Sequence, residues 1–382
     1  MRVKFSQTYK KITASFGVDY FLPLPLVRVN IEARCRITIP QYDKMKNILT
    51  IGLVLMFAAT GYAQDHHLSQ FYAAPLTLNP ALTGSMSGKY RATAQYRNQW
   101  QTVMDNSFKT MQASFDIKTK VGNSFTDNLG FGMYFYGDKG GTTSVSTNHI
   151  AISASYHKGL GLRKKRFLSA GFNIGVAQKN INYNNLTFND QFDGTEGYNL
   201  GTGEELPTNN RSYSDLSAGV NYTYLPRNDR AFNMGASIFH ANSPNVSLDE
   251  EATNRLPSRF TIYASGELPI NERVNLLPRA LVYLQGNQLE ANIGTNVKFK
   301  LGYENAFHLG GWFRPVSDVE SGIALDAFVV LVGFETETFI IGLSTDANLS
   351  TLMPSSSGFG GFELSLTYVG RDENDGAMCP TF

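Results

Sequence analysis

The sequence is poor in the residues from which most catalytic and metal centres are built. It holds two cysteines and six histidines in 382 residues. Cys35 and Cys379 lie near opposite ends, so there is no CxxC pair, and Cys379 alone cannot close a disulfide within an exported chain that begins after Ala63. No signal-like apolar run leads into Cys35, which excludes a lipoprotein site there. HExxH and a phosphate-binding loop are missing, and Gly140-Gly141 reads as a hairpin turn. Beyond Ala63 no stretch approaches the roughly 18 uninterrupted apolar residues of a membrane helix. If this part of the chain enters a membrane, it does so as strands.

Against these absences stands Met45 to Gln64, MKNILTIGLVLMFAATGYAQ. Lys46 supplies a positive start, Ile48 to Phe57 an apolar centre, and Gly61-Tyr62-Ala63 a small-x-small end. This is the pattern of a secretory signal peptide at 45–63, cleaved between Ala63 and Gln64. Residues 1–44 have no sustained period, and they read as an upstream extension produced by a mis-assigned start. Residues 1–63 carry nine Lys/Arg and three Asp/Glu, so the formal charge falls from +1 for the whole chain to −5 without them. A mildly acidic exported protein is not a nucleic-acid binder.

From about residue 90 onward the dominant feature is alternation with period two. Leu168, Ala170, Phe172, Ile174 and Val176 alternate with Ser169, Gly171, Asn173 and Gly175; Leu216, Ala218, Val220, Tyr222 and Tyr224 alternate with Ser217, Gly219, Asn221 and Thr223. Fourteen such segments are expected, at about 90–98, 107–118, 128–137, 143–157, 167–179, 212–224, 231–240, 257–268, 273–284, 288–299, 305–315, 322–332, 336–345 and 359–369. Most are ten residues or longer, twice the usual soluble strand and near the about 9–11 that cross a bilayer at a tilt. Their polar face is built from Gly, Ser, Asn and Thr, which suits a confined interior. The expected fold is all-β, a transmembrane outer-membrane β-barrel of about fourteen antiparallel strands covering 89–369. The connections after odd strands include the three longest, 180–211, 241–256 and 346–358, and those after even strands are short. This is the asymmetry of outer loops and periplasmic turns.

Few residues stand out as chemistry. His66-His67 lacks further ligands at a defined spacing, so no metal or other cofactor is expected. On the strand 143–157, Ser153, Ser155 and His157 share a face by parity, but nothing marks an activated nucleophile, and no enzyme is expected. Arg163-Lys164-Lys165-Arg166 occupies a predicted periplasmic turn. The loop 180–211 is open between a role in partner contact or lumen folding and that of a solvated surface loop.

Several phrases then follow one another along the chain. They are Leu68-Ser69-Gln70-Phe71-Tyr72 after Gln64-Asp65, Asn79-Pro80-Ala81 with Gly84, Tyr96-Arg97-Asn98-Gln99-Trp100, Phe239-His240-Ala241-Asn242-Ser243-Pro244, Trp312-Phe313-Arg314, Gly342-Leu343-Ser344-Thr345-Asp346 and Cys379-Pro380-Thr381-Phe382. In this order they resemble the PorP/SprF family of the type IX secretion system of Bacteroidota, departing from it at Thr345 and Thr381. The resemblance implies an outer-membrane component that aids export or surface retention of secreted cargo proteins. Its implied partners are that cargo, other secretion components including periplasmic lipoproteins, and outer-membrane lipid. The positions that carry it, and so the candidates for partner contact or barrel folding, are Asn79, Pro80, Gly84, Arg97, Trp100, Asp346, Cys379, Pro380 and Phe382. Asn-Pro-Ala is turn chemistry, so 64–88 is expected to be a periplasmic segment or a plug before the first strand. Trp100 is placed at the outer interface, Arg97 in the lumen in need of a carboxylate or backbone partner, and 370–382 as a periplasmic tail. Two other readings remain at this stage. A passive porin would conduct ions, and a barrel-embedded hydrolase would need a paired nucleophile and base.

Overall fold

The computed structural model describes residues 65–370, apart from 123–126, 142–143, 162–164, 196, 228–229, 303, 319–321 and 352. The extension, the signal peptide with Ala63 and Gln64, and the tail with Cys379, Pro380 and Phe382 lie outside the described residues.

Fourteen antiparallel strands close into one barrel: β1 (Tyr90–Gln99), β2 (Phe108–Lys120), β3 (Asn128–Gly140), β4 (Val145–Leu160), β5 (Arg166–Asn180), β6 (Asn210–Arg227), β7 (Arg230–Phe239), β8 (Arg259–Pro269), β9 (Val274–Gln285), β10 (Gln288–Lys300), β11 (Ala306–Asp318), β12 (Gly322–Glu335), β13 (Phe339–Asn348) and β14 (Phe359–Gly370). Each strand pairs with its neighbours in sequence, and β1 pairs with β14. Every expected segment is a strand, with ends that differ by at most three residues. The agreement follows from length and parity, which are local properties.

Burial is inverted relative to a water-soluble protein. On β4, Ile150 and Ile152 are 55% and 63% exposed, while Ser153, Ser155 and His157 are buried. On β5, Leu168, Phe172, Ile174 and Val176 face outward and Ser169 and Asn173 inward. An outer wall of this kind would be unfavourable in water and is matched to hydrocarbon, and the closed barrel leaves no strand edge unpaired.

Two irregularities aim particular side chains. Between β11 and β12 the register shifts at Arg314/Pro315, where proline cannot donate a ladder hydrogen bond and Asp326 is the extra residue opposite. Between β13 and β14 it shifts at Asp346/Ala347, with Gly360 the extra residue. Arg314 and Asp346, one beside each shift, turn into the same part of the interior.

Inside the barrel lies the segment before β1. It is a chain of short turns, a 3-10 turn at Phe71–Ala73, one α-turn at Pro75–Leu78 and a 3-10 turn at Pro80–Leu82. Pro75 and Pro80 stand at the first helical positions, where a missing N–H is harmless. Asp65 meets Gln285 and His240, at the end of the barrel carrying the long connections. Lys89 reaches Gly370 at the opposite end, which carries the short turns. The segment therefore runs the length of the lumen. Its apolar side chains form the core with inward aromatics: Phe71, Leu78 and Leu82 pack with Tyr263 and Leu281, Leu76 with Tyr134 and Tyr136, and Tyr72 against Trp312, Val329 and Leu331.

Candidate functional site

The centre of the lumen is a buried polar lock on Ser69. Its hydroxyl donates to Asp346 Oδ1 at 2.8 Å and accepts from Arg97 Nη1 at 2.7 Å and from Arg314 Nη2, so its one donor and both lone pairs are used. Asp346 Oδ2 in turn pairs with Arg97 Nη2 at 2.7 Å and Arg314 Nη1 at 2.9 Å. Glu363 faces them from β14, accepting the backbone N–H groups of Ser69 and Gln70 at 2.7 and 2.9 Å and standing 3.3 Å from Arg97 Nη1. Two guanidinium groups and two carboxylates thus balance around one serine. All five residues are at most 2% exposed, which is tolerable only because nearly every charge is hydrogen-bonded as well as paired.

His67 completes this lock as a neutral ring. Burial, with Arg314 and Arg97 nearby, holds it well below the ordinary imidazole value. Its Nδ1 accordingly carries the proton toward Glu290 at 3.3 Å, and Nε2 accepts from Arg97 at 3.3 Å.

A second cluster holds the segment near the long-loop end. His240 Nε2 donates to Asp65 Oδ2 at 2.7 Å and Nδ1 to Asp215 Oδ1 at 2.9 Å, while Arg259 Nη1 reaches Asp65 at 3.1 Å. Burial disfavours a charged His240, but the two carboxylates outweigh it and raise its pKa to about 9. Burial likewise opposes the Asp65 carboxylate, and His240 and Arg259 overcome it to hold Asp65 far below the usual carboxylate range. A third cluster lies near the short turns. Arg91 makes a bidentate pair with Asp116 at 3.0 and 2.7 Å and donates to the carbonyls of Leu82 and Ser85, and Asp116 accepts from Gly84 N at 2.7 Å. Gly84 has φ +73°, and a Cβ there would come within 2.8 Å of the Gly130 backbone. Glycine is required on both counts.

Asn79 serves the turn and the wall together. Oδ1 accepts from Ala81 N at 2.8 Å, and Nδ2 donates to Val220 O at 2.9 Å and to Tyr263 Oη at 3.2 Å. A Cβ at Gly219 would sit 2.0 Å from Asn79 Oδ1. Gly219→Ala is therefore expected to lower stability by about 1–3 kcal/mol, read as an earlier loss of the compact barrel band on heating.

Several of the phrases, far apart along the chain, thus meet in the lumen. Ser69, Arg97, Arg314 and Asp346 come from four of them and touch one another, and residues 60–368, which hold every phrase but Cys379-Pro380-Thr381-Phe382, match the family described as type IX secretion system membrane protein PorP/SprF. The chain belongs to the PorP/SprF family. It is an outer-membrane component of the type IX secretion system. No curated protein matches the chain. Among solved structures it is similar to the Pseudomonas putida toluene transporter TodX (11% identity, 80% of this chain and 97% of that one, TM-score 0.42). It is also similar to a Pseudomonas aeruginosa FadL homologue (11%, 76% and 92%, 0.44) and to CdiB from Escherichia coli (8%, 73% and 60%, 0.41).

Of the PorP/SprF motif residues, Asn79, Pro80, Gly84, Arg97 and Asp346 all lie at the contact between segment and wall. Trp100 stands apart from them, at the long-loop end of β1 with φ 59° and its ring edge-on to Phe108 at 5.6 Å. Thr345, the departure from the family pattern, donates to Gly361 O at 3.2 Å. Glu363, Asp65, Asp215, Arg259, Arg91 and Asp116 were not singled out from the sequence. Parity held a signal for the five that lie on strands: a charged residue on the small-polar face of a barrel strand must find a partner inside, as Glu363 between Gly361 and Ser365 does. The pair Ser155 and His157, 2.9 Å apart, resembles a nucleophile and base in spacing alone. Both donate to Thr83 O, at 2.6 and 2.7 Å, and that oxygen can only accept. The His157 nitrogen nearest the serine carries a proton and cannot act as its base.

Proposed function

We propose that this PorP/SprF protein acts in type IX secretion as a non-enzymatic barrel with a closed lumen. In this reading residues 65–88 are a plug, and secreted cargo is engaged by the long loops outside while periplasmic secretion components engage the opposite end. The observation that carries the reading is the lock of Ser69 by Arg97, Arg314, Asp346 and Glu363. A path wide enough for a polypeptide would require breaking buried pairs at three levels of the lumen. Export or surface retention of cargo is then a matter of docking, with the barrel as the membrane anchor. The loop 181–209 is joined to 240–258 by Thr208 Oγ1 donating to Leu248 O at 2.6 Å, so the two long loops are linked.

The test is affinity purification of the tagged protein from outer membranes of its native cell in mild detergent, with ion conductance of the purified barrel measured in parallel. Co-recovery of a large surface protein or of periplasmic secretion components, with a non-conducting barrel, is the expected result. Recovery of the barrel alone together with steady conductance would replace this reading with that of a passive channel. Deleting Glu373 to Phe382 is expected to leave a heat-modifiable barrel while reducing recovery of the periplasmic partners. Undiminished recovery would remove the tail from the proposed interface.

A further inference from the structure

Between the plug segment and the short-turn end of the barrel lies a cavity of about 140 Å³. Its lining is mixed. Leu277, Leu331 and Val369 from the barrel and Met86 from the segment are aliphatic. Other lining residues are charged, and among them the acids and bases are unevenly matched. Glu335 spends one oxygen on Lys298 at 2.7 Å and the other on His308 at 2.7 Å. Glu267 accepts from Asn275 Nδ2 at 2.6 Å. Arg91 is held by Asp116. Arg279 differs from these. It has no ion pair among the described residues, and its Nη1 is buried without a protein acceptor.

The guanidinium of Arg279 lies 3.8 Å from the centre of the Tyr72 ring. That contact uses the face of the cation and leaves its N–H edge for hydrogen bonding. A planar fork of donors beside an aliphatic pocket suits an anionic oxygen pair carried on an apolar body. The geometry points to a binding site for a small amphipathic monocarboxylate, its carboxylate on Arg279 and its apolar body against Leu277 and Leu331, entered from the short-turn end. The volume limits the ligand to about the size of hexanoate or benzoate, since roughly five waters' share of liquid would occupy the same space. This site is independent of the role in secretion proposed above. It stands or falls on the cavity alone.

The experiment uses the folded full-length barrel in lipid nanodiscs, with hexanoate, hexanol and inorganic phosphate as probes and calorimetric titration as the readout. Hexanoate is expected to bind, and hexanol and phosphate to bind at least about tenfold more weakly, because each lacks one half of the complementary pair. Arg279→Met is expected to weaken hexanoate by about tenfold or more, and Arg279→Lys to keep only part of the affinity, because the charge remains but the planar fork and its stacking on Tyr72 are lost. Equal binding of hexanol would reduce the site to an apolar void, and equal binding of phosphate to a simple anion site. Full hexanoate affinity in Arg279→Met, or no hexanoate binding to the unaltered barrel, would overturn the proposal. Should Arg279→Met fail to give a heat-modifiable barrel, the comparison of hexanoate with hexanol on the unaltered protein decides alone.

Discussion

Replacing Asp346 with Ala is expected to lower barrel stability by about 3–5 kcal/mol, the range seen when one partner of a buried ion pair is removed. Asp346 compensates two buried cations at once, Arg97 at 2.7 Å and Arg314 at 2.9 Å, and accepts the Ser69 hydroxyl at 2.8 Å. After the change Arg97 keeps Glu363 at 3.3 Å, and Arg314 keeps only longer contacts, Asp326 at 3.4 Å, a residue nearer to solvent, and Glu290 at 3.8 Å. The loss therefore falls hardest on Arg314 and, through Ser69, on the plug segment. Two measurements check it. The temperature at which the compact band is lost on a denaturing gel should drop, and channel events should appear in planar bilayers as residues 65–70 leave the wall. A stability loss without channel events would place the effective hold on the plug in the Arg91–Asp116 or His240–Asp65 clusters. In the double variant Asp346→Ala, Arg314→Met, part of the loss should be recovered, because the stranded charge goes with its partner.

Raising the pH is expected to loosen the long-loop end of the plug. His240 is held charged by Asp65 and Asp215, with a pKa of about 9 in the folded barrel against 6.5 ordinarily. A group whose pKa is raised by folding stabilises fully below its unfolded value and loses that contribution as pH climbs through its folded value. Here the loss runs from about pH 6.5 to 9 and is on the order of 3 kcal/mol. Asp65 has the opposite sign: its depressed pKa contributes above the ordinary 3.8 and is lost as the pH falls below that value. The contact is thus tightest between these two ordinary values and weakens on either side. Thermal loss of the compact band, compared between the unaltered protein and His240→Gln at pH 6 and pH 9.5, isolates the effect. The difference between the two proteins should be large at pH 6 and nearly vanish at pH 9.5. A difference that did not change with pH would mean that His240 is held neutral.

The barrel itself was legible because its signals are local. A strand such as β5 declares itself within about ten residues through alternating Leu168, Ala170, Phe172, Ile174 and Val176, and its length separates a membrane strand from a soluble one. Parity also assigns the faces, and Ser169 and Asn173 fall on the inward one. The lock was partly legible. Arg97 is expected to need a carboxylate or backbone partner within the lumen, and Asp346 lies in another marked phrase, yet nothing in the sequence joins them. Glu363 and Asp215 lie on the polar face of a strand, where parity says that a partner is needed but not which one, and Asp65 precedes the strands and has no face to be read.

By itself, then, the sequence determined the fourteen strands, their order around a closed sheet and the two faces of each. All of these depend on residues a few positions apart. Only the tertiary structure decided that residues 65–88 run through the lumen, that Ser69 sits between Arg97 and Arg314, and that Asp346 answers both. Those choices depend on strand register, on the shifts at Pro315 and Gly360 that turn Arg314 and Asp346 to one point, and on contacts between residues 249 and 294 positions apart. Hydrophobic alternation is satisfied equally by many partners for a buried charge, and closure of the barrel leaves only one within reach.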